Sequence, residues 1–160
     1  SILDQLVSFS KDKVSLKDVI SILGLVEQDT LFEITAGIIR KEPKEVLGLL
    51  NRIIDEGKDH GVFLVNLIEH FRNLMIAKVT KGDMKLIDLP QEFCEKLLKQ
   101  SQHFSLEDIF TIFNNLINAQ EMSKRMESLR IPLEITLVKM AHDKRGAGLK
   151  LPHPALFSAG

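Results

Sequence analysis

The strongest constraint in this sequence is a hydrophobic period of about 3.6 residues, held over stretches far longer than a strand. Between Asp59 and Val79 the residues Phe63, Leu64, Leu67, Ile68, Phe71, Leu74 and Met75 recur at i, i+3, i+4 and i+7. Glu69, His70, Arg72 and Asn73 are assigned to the opposite, polar side. From Ser105 to Met126 the pattern returns through Ile109, Phe110, Phe113, Leu116, Ile117 and Met122. Both stretches are predicted helices, the second antiparallel to a neighbour. No stretch alternates apolar and polar residues with β-branched enrichment, apart from two or three residues around Val14, and hairpin dipeptides are missing. The fold class is therefore all-α: a compact bundle of about six to seven amphipathic helices.

The punctuation agrees. Ser15, Thr30 and Ser105 are each followed three residues later by an acid (Asp18, Glu33, Asp108), the signature of a capping box at a helix start. Pro43, Pro90 and Pro132 mark three further starts, with Glu45, Glu92 and Glu134 placed to favour the positive end of each helix dipole. Glu27, Asp29 and Glu33 read as capping acids, and Asp55-Glu56 closes a helix before Gly57. Residues 79–89 form an internal loop. The boundaries are a helical assembly domain over 1–145 and a Gly- and Pro-containing, flexible linker over 146–160. The chain does not begin with Met, as expected of a piece of a longer protein.

Composition removes several functions. With 21 basic and 22 acidic residues the net charge is -1, so no global positive field gathers a polyanion and direct DNA contact is not expected. The nine glycines do not form a phosphate cradle, and the five histidines never pair at i, i+4 as helical metal ligands do. His70 beside Glu69 reads as a solvated pair rather than a general base. Cys94, the single cysteine, has no partner for an internal disulfide, reads as a small apolar packing residue, and suits a reducing cytoplasm. The apolar runs are too short to cross a bilayer. No catalytic, cofactor or metal residue is assigned, and the chain is read as a non-enzyme.

Two features exceed the needs of a monomer. Val62, Val65, Ile76 and Val79 widen the apolar arc of the 59–79 helix, which makes it either the central core helix or a contact with another subunit. Lys124, Arg125 and Arg130 make the one concentrated basic patch outside the tail, either a solvated helix end or a match for a partner's acidic surface. These seven residues are the candidate subunit contacts. A competing reading takes residues 30–40 and 43–56 as a helix-turn-helix that binds nucleic acid through Lys41, Lys44 and Arg52.

Three landmarks then carry a resemblance. Ser1-Ile2-Leu3-Asp4-Gln5 resembles the segment after the sensor-2 arginine helix of bacterial clamp-loader ATPases of the gamma/tau type. Val14-Ser15-Leu16, with Val19 and Leu23-Gly24, resembles that family's helix ending in Leu-Gly, and Leu129 to Met140 is similar to its last helix. Lys139 stands where that helix often carries arginine. In order over residues 1–140, they liken the chain to the C-terminal collar domain of the DNA polymerase III gamma/tau family. The resemblance implies an AAA+ ATPase module upstream, where ATP, Mg and Zn would bind, and none of these in this piece. It also implies a collar role in a pentamer that loads the sliding clamp at primed DNA during replication. The implied partners are other gamma/tau copies, delta and delta-prime subunits, and a small accessory clamp-loader protein.

Overall fold

The computed structural model describes Ser15 and residues 27–142; the Ser15–Asp18 capping box and the 146–160 linker expected from the sequence lie outside the described residues. Among the described residues there are six α-helices and no strands: α1 (Gln28–Ile39), α2 (Pro43–Asp55), α3 (His60–Thr80), α4 (Gln91–Ser101), α5 (Leu106–Met126) and α6 (Arg130–Ala141). A single 3-10 turn, Met84–Leu86, interrupts the loop between α3 and α4.

The start signals have different outcomes. Ser105 caps α5 through a reciprocal box: its Oγ accepts from Asp108 N at 3.0 Å, and its own N–H donates to Asp108 Oδ2 at 2.9 Å. Pro43 occupies the first position of α2, and Pro90 immediately precedes α4. Thr30 does not cap: α1 begins two residues earlier, behind Glu27, whose side chain makes no capping bond. Glu33 does not cap either, and instead pairs with Arg52 at 3.2 Å. Ser105→Ala is therefore expected to cost about 1 kcal/mol in urea denaturation, and Thr30→Ala less than about 0.5 kcal/mol. Equal losses would refute the assignment.

Helices α1, α2 and α3 end alike. Lys41, Gly57 and Lys81 take positive φ (59°, 77° and 57°), and the next residue's N–H returns to the carbonyl five residues back, on Gly37, Ile53 and Ala77 respectively. This left-handed stop satisfies carbonyls that the helix would otherwise leave open. Between α1 and α2 the crossing is close at Gly37, where an added Cβ would lie 2.8 Å from Val46 Cγ2.

Helix α3 is the hub, packing on α4, α5 and α1. Phe63, Leu64, Leu67, Phe71, Leu74 and Ala77 are all buried, and so much of its circumference is covered that two polar residues go in with them. His70 is 2% exposed and Asn73 6%, which corrects their assignment to a solvated polar side. Gln100 Nε2 donates to Phe32 O at 3.1 Å, which turns its Oε1 toward His70 Nε2 at 3.0 Å. His70 Nε2 is thus the donor. Its Nδ1 is buried without a partner, and burial holds the imidazole pKa down to about 4, against a partial lift from Gln100. Cys94 is buried and packs as a small apolar side chain.

A candidate subunit-contact surface

Twelve residues, Arg-Ile-Pro-Leu-Glu-Ile-Thr-Leu-Val-Lys-Met-Ala, build α6. Pro132 sits in the first turn, where a missing N–H removes no helical bond. The inner face buries Leu133, Thr136, Leu137, Met140 and Ala141 against α5, α2 and α1. The outer face carries Ile131, Ile135 and Val138 at i, i+4 and i+7, and these are 48%, 43% and 36% exposed. A surface helix normally confines its apolar residues to one face. This one is apolar on two, and among the described residues its own bundle covers only the first.

The turn from α5 into α6 completes the patch. Glu127, in the left-handed conformation, reverses the chain, so the last turn of α5 brings exposed Met122 and Met126 to the same end of the bundle as Ile131. Thr111 and Asn115 of α5 share a groove with Val138 and Lys139 of α6 and with His142 just beyond it, which sets the two helices antiparallel. The three basic candidates gather at this turn. Lys124 pairs with Glu121 at 2.9 Å; Arg130 donates to Asn51 Oδ1 at 3.2 Å and lies 3.5 Å from Glu134; Arg125 is exposed. Exposed pairs of this kind add little stability. Around an apolar centre they have the character of an interface rim.

The four α3 candidates divide. Ile76 is half-buried on the core and Val62 half-buried, so part of the widened arc serves the bundle itself. Val65 and Val79 remain 53% and 60% exposed. By element, the candidates fall on α3, which packs on α4, α5 and α1, and at the turn into α6, which packs on α5, α2 and α1. The seven candidates thus form two groups. The sequence reading passed over Ile131, Ile135 and Val138, and also Phe110 and Ile117, which are 49% and 48% exposed on α5. The available signal was that α6 carries a second apolar stripe, Ile131, Ile135 and Val138 at i, i+4 and i+7, besides Leu133, Leu137 and Met140, and this demands a second covering surface.

The basic residues of the competing helix-turn-helix are mostly engaged within the bundle. Lys41 Nζ donates to Met140 O at 3.4 Å, Arg52 pairs with Glu33, and α2 turns Val46, Leu50 and Ile53 into the core. Among the described residues no group of three His, Cys, Asp or Glu is placed to hold a metal, and no helix is long and apolar enough to cross a membrane.

A family model described as "DNA polymerase III subunits gamma and tau domain III" matches residues 14–151. The chain is 28% identical over 155 residues to the DNA polymerase III subunit tau of Bacillus subtilis (strain 168), covering 95% of this chain and 27% of that protein. It is 20% identical over 140 residues to the DNA polymerase III subunit gamma of Buchnera aphidicola subsp. Acyrthosiphon pisum (strain APS), covering 88% of this chain and 38% of that protein. It therefore spans well under half the length of either relative.

Proposed function

Since this chain belongs to the family of DNA polymerase III gamma and tau subunits, as their domain III, we propose that it is the non-catalytic collar piece of a clamp loader. It holds ATPase subunits together by packing the outer face of α6 against a neighbouring subunit. The observation that carries this reading is the uncovered stripe Ile131, Ile135 and Val138 on a helix whose opposite face is already core. Three apolar side chains in a row, near two exposed methionines and a rim of exposed ion pairs, have the anatomy of a contact that excludes water. The neighbours are further gamma/tau copies and the delta and delta-prime subunits. The accessory protein is a further partner. Through these contacts the collar supports loading of the sliding clamp, while ATP, Mg and Zn bind elsewhere in the parent chain.

Light scattering behind size exclusion tests this on the chain alone and mixed with delta and delta-prime. The expected result is association that is unchanged by Mg-ATP. Ile135→Glu, at a position already facing water, should leave the helical content intact and weaken association on the order of 100-fold, because a carboxylate would have to be buried in an apolar contact. A strict monomer indifferent to both subunits, or an Ile135→Glu variant that assembles normally, overturns the reading.

A further inference from the structure

A second surface is chemically unlike the α6 stripe. Between α1 and α4 runs an open groove of about 590 Å³ whose floor is Phe32, Ala36 and Ile39. Ile39 and His103 continue it into a cavity of about 220 Å³ bounded by Phe104, Ile112 and Met140. The two adjoin at these shared residues and are taken together as one trough, apolar along Phe32, Ala36 and Ile39 and mixed beyond.

Its walls are basic although the chain as a whole carries -1. Arg40, Lys96 and Lys99 line the groove, and Lys41 and Lys139 line the cavity; of these, Arg40 pairs with Glu42 and Glu45, and Lys96 lies 3.7 Å from Asp29. Lys99 and Lys139 have no ion pair among the described residues. The facing acids are already engaged, Glu33 with Arg52 at 3.2 Å and Asp108 in the Ser105 capping box.

We propose that this trough receives an acidic amphipathic helical segment from a partner protein, its apolar side on Phe32, Ala36 and Ile39 and its carboxylates toward Lys99 and Lys139. Helix-in-groove recognition needs an apolar floor to give affinity and flanking charges to give orientation, and both are present. A single-stranded nucleic acid fits less well. Base stacking needs an open aromatic face, and the Phe32 ring is engaged by Phe93 (6.1 Å, stacked), His70 (4.8 Å, edge-on) and Lys96 (5.8 Å). The chain's own ends do not match the charge. Residues 1–26 hold Asp4, Asp12 and Asp18 against Lys11, Lys13 and Lys17, and residues 143–160 hold Asp143 against Lys144, Arg145 and Lys150.

The test is fluorescence anisotropy on the full chain, with a labelled peptide carrying leucines at i, i+3, i+4 and i+7 and glutamates elsewhere. A scramble of the same composition and an oligothymidine serve as comparisons. The amphipathic peptide is expected to bind at least about tenfold tighter than its scramble. Lys99→Glu with Lys139→Glu should weaken it about tenfold or more, and Ala36→Glu should do the same from the floor. Light scattering on Lys99→Glu and on Ala36→Glu alone, which lie on α4 and α1, should match the parent chain, since α6 is untouched; failure here is thus separable from failure of the collar reading. Absence of peptide binding, equal binding of the scramble, or preferential binding of oligothymidine each overturns the proposal.

Discussion

Phe71→Ala is expected to lower the unfolding free energy by about 3–5 kcal/mol, enough to consume much of the roughly 5–15 kcal/mol that holds a domain folded. Phe71 lies on the hub helix with no exposed surface, and its ring meets Phe104 edge-on at 5.7 Å. Phe104 belongs to the link between α4 and α5, so truncation opens a void where α3 meets two further helices. Phe71→Leu, which keeps most of the volume, should cost less than half as much. Urea titration followed by circular dichroism measures both. A loss below about 1.5 kcal/mol for the alanine variant would show that the bundle collapses around the site and that α3 is not its hub.

The second large effect depends on pH. His70 is neutral in the fold with a pKa of about 4, against its ordinary 6.5. The unfolded chain therefore binds a proton more readily than the folded one between these values. The contribution is fully present above pH 6.5, declines as pH falls, and is lost by about pH 4. At about 1.4 kcal/mol per pH unit, it reaches about 3 kcal/mol over the window and about 2 kcal/mol by pH 5. The structural reason is the buried Nδ1: a proton arriving there finds no acceptor, while Nε2 is committed to Gln100. Denaturation at pH 7 and pH 5 of the parent chain and of His70→Gln should show the parent losing about 2 kcal/mol more than the variant. Equal losses would place the acid sensitivity in other groups.

These two residues also show how much was legible in the sequence. Local grammar located α3 and α5 to within a residue, because a 21-residue amphipathic stretch with a capping acid or serine allows few other structures. It misplaced the start of α1, since a Thr with an acid three residues on looks like a cap wherever it stands. His70 was misread for a related reason. Position 70 follows 63 and 67 by seven and three residues and so shares their buried face, but a polar residue was assigned to water. Its partner Gln100 is thirty residues away, and no local pattern announces such a pair. The candidate surface was legible in part. Composition and period nominate the basic cluster and Val65 with Val79 as candidates, and leave Ile131, Ile135 and Val138 unmarked. What separates inner from outer residues on α6 is which neighbours reach it, and that is a tertiary fact.

The close crossing at Gly37 has a consequence for how this sequence can change over time. With Val46 Cγ2 only 2.8 Å from where a methyl would stand, positions 37 and 46 share a fixed allotment of space. Neither can drift alone: a larger residue at 37 requires a smaller one at 46, and Gly37→Ala is tolerated more readily with Val46→Ala than without it. Among related chains the two positions should co-vary in size, leaving in the sequence record a trace of the α1–α2 contact that no single sequence carries.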